Sequence, residues 1–356
     1  MTYLVNFLLV LVYYLIIKKV CRSCANRVFS IVVALHAILF RALANPYNYV
    51  DTEVYAAAFS DIASMPFLYA ISPINVYADW GLGFVFVNWL IGQFSSNPQT
   101  MFVIMSVIGL VPVFFFFYKT SDSLLLSIVF YLLYPMFFYM SFGVIRQHVA
   151  IGFTLMALYS IDNMKRSLLW AVLALSFHTS AIVFFPFYIW RHVNKSIGNV
   201  MWNIVLIMST VLIAKAFLGG FLSSSERYDT YYGVQSEERN IIPVFFIGSL
   251  LLLLYCSGAY RHITSPLDKN IWNFMLYGFA MSLVGIGTYG MGRMTLYFMY
   301  VFPVAITLLE KCRIDKSVVS MAKGVMLIIV IYLMMGAYNE QPYSYSFFWE
   351  QVTRTW

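Results

Sequence analysis

The chain has 356 residues, 62% of them hydrophobic and 19% aromatic, with only 10% charged and a mean hydropathy of +0.78. Soluble domains hold roughly 45–50% apolar residues. The excess here lies in continuous runs from end to end, which excludes a soluble domain and, for want of alternating ten-residue segments, a membrane β-barrel. The net charge of +7 sits mostly in short loops, where the positive-inside rule accounts for it, so nucleic-acid binding is excluded as well.

In chain order, residues 2–17 form a first span. No basic residue precedes it and no small-residue cleavage site follows, so it reads as a retained helix and not a signal peptide. Lys18, Lys19, Arg22 and Arg27 make a cytoplasmic loop, and Cys21 and Cys24 within it read as free thiols because no second ligand pair exists. A second span over 28–44 carries Arg41 near its outer end. Residues 45–79 form an outer loop with Asp51, Glu53, Asp61 and Asp79, and with short amphipathic patches at 55–59 and 67–71 that read as interfacial helices. Tyr47, Tyr49, Tyr55, Tyr69 and Tyr77 in this loop suit the headgroup level.

Residues 80–94 are apolar but amount to only about 22 Å of helix, short of a bilayer core of about 30 Å. Runs at 100–118 and 124–141 follow. Then comes Arg146-Gln147-His148, opening a run over 147–161. Further spans cover 167–190, with His178 in the middle, and 200–218. A second outer loop, 219–242, carries Arg227 and Arg239. The remaining spans are 243–260, 271–288, 296–309 and 322–336, with a turn at 289–293 containing Gly290, Gly292 and Arg293, and a polar, aromatic outer tail at 337–356. Basic clusters place 18–27, 261–269 and 311–316 in the cytoplasm. The expected fold is all-α and polytopic, one membrane domain with about 10–12 transmembrane helices. Counting every run gives twelve. Treating 80–94 and part of 196–218 as re-entrant or interfacial gives ten and turns Arg146 outward, and this second count is the one adopted.

Charges inside such a chain point to function. A lone arginine at bilayer depth costs about 2.5–3.5 kcal/mol on insertion scales, so Arg146 requires a partner, water or an anionic ligand. Its fork suits a phosphate, and the bland alternative is snorkelling to an interface. Gln147 and His148 beside it add polar groups to an apolar helix and favour function. His178 offers a hydrogen bond or a base near neutral pH, or else a histidine satisfied by a hydroxyl across a helix interface. Arg293 reads as the start of a helix that favours anions, or as an interfacial arginine, and Arg41 in the same way. Arg227 and Arg239 lie where solvated charge is ordinary. Asp51, Glu53 and Asp79 could deprotonate a hydroxyl or merely solubilise a loop. No P-loop, GxGxxG, HExxH or haem motif occurs, so no metal or cofactor is called for.

Several short motifs then fall in a recognisable order. Phe40-Arg41 ends the second span, Asp51 and Tyr55 form DxxxY, and Phe142 to Gln147 precede a helix beginning His148-Val149-Ala150-Ile151. Phe177-His178-Thr179-Ser180-Ala181, Gly292-Arg293 through Tyr297-Phe298, and Pro342-Tyr343 follow. In this order the chain resembles the EpsG-like family of bacterial polysaccharide polymerases, the Wzy-type proteins. One departure is Asp79-Trp80-Gly81-Leu82-Gly83-Phe84, where relatives often carry Glu. The resemblance implies a fold similar to the glycosyltransferase C superfamily and a metal-independent glycosyltransferase of the bacterial cytoplasmic (inner) membrane, its site facing the periplasm or exterior. Its substrates would be undecaprenyl-pyrophosphate-linked repeat units of O-antigen, capsule or exopolysaccharide, and its partners membrane lipid with the chain-length regulator and flippase proteins of such a pathway. Arg146 and Arg293 would hold the pyrophosphate, with Arg41 as a third. His178 or Asp51 would act as base or orient the acceptor hydroxyl. Tyr55, Gln147 and Tyr297 would position sugars or orient the arginines, and Asp79, Arg227 and Arg239 would contribute to binding. A ligase-like transferase, an acyltransferase, a flippase or transporter of lipid-linked sugars, and a non-catalytic assembly protein are the alternatives.

Overall fold

The computed structural model describes residues 2–46, 49, 51–194, 198–223, 241–286, 289–311, 315–339 and 345–350. Among them the structure is helical, and the one β-type pairing is an isolated bridge between Ala44 and Phe347. The chain forms two compact units. The first comprises Met1–Thr120, Leu124–Ala181 and Met326–Trp356, the second Ser121–Ser123 and Ile182–Val325.

In the first unit, α1 (Thr2–Val20) pairs with α2 (Ala25–Ala42). Polar groups join the pair: the Tyr13 hydroxyl lies 3.1 Å from Nδ1 of His36, whose Nε2 meets Asn6. Side-chain hydrogen bonds of this kind hold helices together where lipid removes the hydrophobic contrast. The opposite face of α2 exposes Ile31, Leu35 and Leu39 at helical spacing, while Phe29, Val33, Ala37 and Arg41 point inward. The amphipathic patches between residues 45 and 79 are helices, α3 (Thr52–Ser64) and α4 (Phe67–Ala70). The short run that follows is α5 (Leu82–Gly92), about 16 Å long at 1.5 Å per residue. It exposes Leu82, Phe86 and Leu90 and buries Phe84, Val85, Asn88 and Ile91.

The longest helix of the unit is α6 (Pro98–Thr120), which packs between α2 and α8 (Ile145–Tyr159). Gly109 and Gly152 allow the close approach of α6 and α8: a Cβ on Gly152 would stand 2.8 Å from the Gly109 carbonyl oxygen. Small residues at a helix crossing are a usual device of membrane bundles. In chain order α7 (Leu124–Leu133) links α6 to α8, and after α8 comes α9 (Met164–Phe177), which packs on α8 and α5. The last segment, 345–350, lies along the end of α2. Asn45 N donates to Ser346 O at 2.8 Å, Phe348 N to Leu43 O at 2.9 Å, and the Tyr345 hydroxyl to Phe40 O at 2.8 Å.

The second unit contains α10 (Phe185–Val193), α11 (Val200–Ser223), α12 (Ile241–Cys256), α13 (Pro266–Val284), α14 (Tyr289–Met299) and α15 (Phe302–Leu308). Its core is α13, buried on nearly every side, with α10, α11, α12 and α14 against it. Phe274 sits between Phe187 at 4.9 Å and Phe298 at 4.8 Å, and Tyr277 donates to Val183 O at 3.0 Å. The final helix, α16 (Lys316–Asn339), begins in this unit and ends in the first.

Several apolar runs are divided where hydropathy reads them as continuous. Among the described residues three helices are long and apolar enough to cross a membrane by length and composition: Ala25–Ala42, Pro98–Thr120 and Lys316–Gly336. The run 124–141 stops as a helix at Leu133, two residues before Pro135, whose ring disfavours helical backbone at Tyr134. The run 167–190 breaks at His178, and helix resumes with Pro186 in the first turn of α10, where a missing N–H costs nothing. The run 296–309 breaks between Met299 and Phe302, again with a proline, Pro303, at the restart. Conversely, 289–293 is the start of α14 and not a turn, so Arg293 is its fifth residue. Non-helical backbone in an apolar chain persists only where protein buries it or a cavity borders it, so the breaks at 134–144 and 178 draw attention to what they surround.

Candidate functional site

The break after α7 delivers a 3₁₀ turn, Met140–Phe142, and then α8, whose first turn carries Arg146. No side chain caps this helix start; Val144 precedes it with φ −88° and ψ 55°. An uncapped helix N-terminus presents N–H groups and positive potential to an anion. The half-buried Arg146 turns towards the short segment before α5. Its Nη1 donates to the carbonyl oxygen of Trp80 at 2.8 Å. Its Cζ lies 4.8 Å from the Trp80 ring centre, 5.8 Å from Tyr55 and 5.9 Å from Phe84. Tyr55 meets Trp80 edge-on at 5.5 Å and 88°. Each aromatic face contributes about 0.5–2 kcal/mol to holding a cation, depending on desolvation. The box fixes the guanidinium without neutralising it. Among the described residues no carboxylate pairs with Arg146, and its Nε is buried without a hydrogen-bond partner.

The carbonyl that holds Arg146 belongs to a tightly constrained turn. Gly81 follows Trp80 with φ +92°, and a Cβ there would stand 2.4 Å from the Ser176 carbonyl oxygen and 3.0 Å from that of Phe177. The turn is thus pressed on the end of α9. The next residue along α9 is His178, extended at φ −154° and ψ 125°. Its Nδ1 receives the Ser180 backbone N–H at 3.2 Å and lies 2.6 Å from the Ser180 hydroxyl. Nδ1 therefore serves as an acceptor and the ring proton resides on Nε2. Arg146, Tyr55 and the backbone that carries His178 converge on one turn, 79–81. Asp79 is on that turn and exposed.

A second arginine approaches α8 from the other side. Arg41, in the last turn of α2 and 5% exposed, has its Nη1 3.3 Å from Nδ1 of His148. The opposite ring nitrogen, Nε2, is 3.0 Å from the Tyr131 hydroxyl. Arg41 also borders a small cleft together with Asn45, Tyr49, Thr52, Ser106 and Ile145. Thr52 donates to Tyr49 O at 2.7 Å and so shapes the entry to α3. Beside it, Asp51 is exposed and left-handed at φ 67°, and its side chain makes no cap bond. Gln147, between Arg146 and His148, is buried at 2% exposure.

Of the residues singled out from sequence, Arg41, Asp51, Tyr55, Asp79, Arg146, Gln147 and His178 lie in the first unit. Arg293 is exposed on α14 and Tyr297 is fully buried there, both in the second unit. Arg227, Arg239, Tyr47, Pro342 and Tyr343 lie outside the described residues. His178 occupies a helix break and not mid-helix, because the Ser180 backbone N–H and hydroxyl offer its ring a local hydrogen-bonded alternative. Sequence reasoning gave no role to Trp80, and took His148 only as one more polar group beside Arg146 that favours function, without its contact to Arg41.

The family model described as EpsG family matches residues 31–349. The chain belongs to the EpsG family. The match takes in Arg41, Asp51, Trp80, Arg146 and His178, so the turn at 79–81 and the start of α8 both fall inside the matched residues. No curated protein and no solved structure matches the chain. With its apolar helices, EpsG membership makes this a membrane protein with a polysaccharide-polymerase type of role.

Proposed function

We propose that this EpsG-family protein polymerises oligosaccharide repeat units carried on undecaprenyl pyrophosphate. It would do so in the bacterial cytoplasmic membrane, with the start of α8 facing the periplasm or exterior and without a metal ion. The observation that carries this reading is the aromatic box around Arg146: a guanidinium fixed by one backbone carbonyl and three rings, with its Nε–H buried and unmatched, at an uncapped helix start. Such a group is pre-organised for an oxyanion whose charge grows as a bond breaks.

In the proposed reaction a hydroxyl of the incoming unit attacks the anomeric carbon of the growing glycan. The new glycosidic C–O bond forms, the bond from that carbon to the pyrophosphate oxygen breaks, and the lipid pyrophosphate leaves with the electron pair. Arg146 and Arg41 meet its charge. Because Nδ1 of His178 is engaged by Ser180, its Nε2–H is suited to donate to a sugar or phosphate oxygen. Asp51 is the better candidate to take the acceptor proton, being an exposed carboxylate next to the cleft. Tyr55, Gln147 and Asp79 would complete the sugar-binding surface. Roles for Arg293, Tyr297, Arg227 and Arg239 rest on residue type and family resemblance alone.

The test is reconstitution. Purified protein supplied with lipid-linked repeat units should give a ladder of glycan lengths. Units that change sides of a vesicle with no new glycosidic bond would make it a flippase, and transfer of a single unit with no ladder would make it a ligase-like transferase.

A further inference from the structure

We infer that His148 is a positioning residue for Arg41, and that Gly109 is the space that permits it. The inference rests on the reading of Arg41 as an anion ligand and adds how that ligand is held. His148 is fully buried on α8, among α2, α6 and α7. A guanidinium can only donate, so Nδ1 accepts from Arg41 and Nε2 carries the ring proton towards the Tyr131 oxygen. Tyr131 is itself immobilised, fully buried with Phe114 at 5.7 Å and Phe117 at 5.6 Å. The imidazole thus passes the rigidity of the aromatic core to an arginine at the edge of the cleft.

The chemistry of the contact suits an anion site. A carboxylate in the place of His148 would orient Arg41 and also cancel its charge. A neutral ring nitrogen orients it without bringing a negative charge of its own. The geometry of α8 adds to this. Residues two apart on a helix point to different sides, so Arg146 and His148 leave the same first turns in different directions. One arginine is therefore carried by α8 and the other is held by it, with the helix start between them. Ile145, the first residue of α8, borders the same cleft as Arg41.

Gly109 is the independent mark of this arrangement. A Cβ at Gly109 would come within 2.6 Å of His148 Nδ1 and 3.4 Å of Arg41 Nη1. The first distance is shorter than real contacts allow, so any side chain at 109 would displace the ring atom that faces the guanidinium. Neither His148 nor Gly109 need touch substrate to matter.

Binding of undecaprenyl pyrophosphate to the purified full-length protein in detergent tests this directly, with ladder formation measured in parallel. His148→Leu removes the acceptor and should weaken binding tenfold or more. His148→Asn returns an acceptor at the place of Nδ1 and should bind within threefold of wild type. Gly109→Ala, which leaves both residues intact and favours helix, should weaken binding as His148→Leu does and raise KM more than it lowers kcat. If His148→Leu does not fold, Gly109→Ala carries the test. Wild-type affinity in Gly109→Ala, or equal losses in the Leu and Asn variants with unchanged melting temperatures, would overturn the inference. A wild-type protein that makes a ladder while its binding ignores both sites would refute the positioning role and keep the polymerase. Binding that falls as expected in a protein making no ladder would keep the positioning role and refute the polymerase.

Discussion

Nη1 of Arg146 donates to the carbonyl oxygen of Trp80 at 2.8 Å, and the indole of the same residue lies 4.8 Å from the guanidinium carbon. Trp80 therefore holds Arg146 twice, once through its backbone and once through its ring. Trp80→Ala removes only the ring. Loss of one partly desolvated cation–π contact, about 1 kcal/mol, should reduce the polymerisation rate roughly five- to tenfold, and Trp80→Phe should recover most of it. Equal rates in Trp80→Ala and wild type would show that the ring does not help to place the arginine.

Gly81 adopts φ +92°, and its missing Cβ would fall 2.4 Å from the Ser176 carbonyl oxygen. Gly81→Ala meets both a disfavoured backbone conformation, at about 1–3 kcal/mol, and a backbone atom that cannot move aside as a side chain could. The variant should melt at clearly lower temperature and lose activity together with Arg146 variants, because the turn it distorts supplies the Trp80 carbonyl. Gly83→Ala is the natural comparison: it would press on a hydroxyl and a ring edge, which can yield. A melting temperature for Gly81→Ala equal to that of wild type would contradict the constraint.

Asp51 combines a left-handed backbone with an exposed carboxylate. Asparagine tolerates the same conformation, so Asp51→Asn separates the two properties. The variant should keep the wild-type melting temperature and lose about 10²-fold or more in kcat, the usual share of a general base. Full activity would remove Asp51 from proton transfer.

Between α3 and α5 the Tyr77 hydroxyl donates to the Asp61 carboxylate at the end of α3. Burial, then this hydrogen bond and the negative charge of Asp61, raise the phenol to about 12 from its ordinary 10.0. A raised folded value means that the neutral phenol stabilises the fold. That contribution is complete below pH 10 and is lost as pH rises through about 12. Tyr77→Phe should thus melt below wild type at pH 8, and the gap between the two should close from pH 10 to 12. A constant gap across that window would rule out the linkage.

How much of this was legible in the sequence depended on which physical property carried each feature. Hydropathy and charge identified the helical membrane class, the short element at 80–94, amphipathic helices where α3 and α4 lie, and Arg146 as an expensive charge, with Arg41 at the end of α2. The breaks in the runs around Pro135, His178 and Pro303 were not read, because hydropathy averages over them; the prolines were visible, and what they imply for the backbone was the missed signal. The partners were out of reach for a different reason. The hold of Trp80 on Arg146 uses a main-chain carbonyl, which no residue type announces. The contact of His148 with Arg41 spans 107 positions and exists only because Gly109 and Gly152 let α6 and α8 approach.

The most direct measurement is the glycan ladder made by purified protein from lipid-pyrophosphate-linked repeat units, compared between wild type and Arg146→Lys. Lysine keeps the charge but has neither the planar fork nor the flat face that three rings enclose. The expected result is a full ladder for wild type and a rate lower by about 10²-fold or more in Arg146→Lys, with the fold intact. A ladder from Arg146→Lys at the wild-type rate would contradict the central role of Arg146.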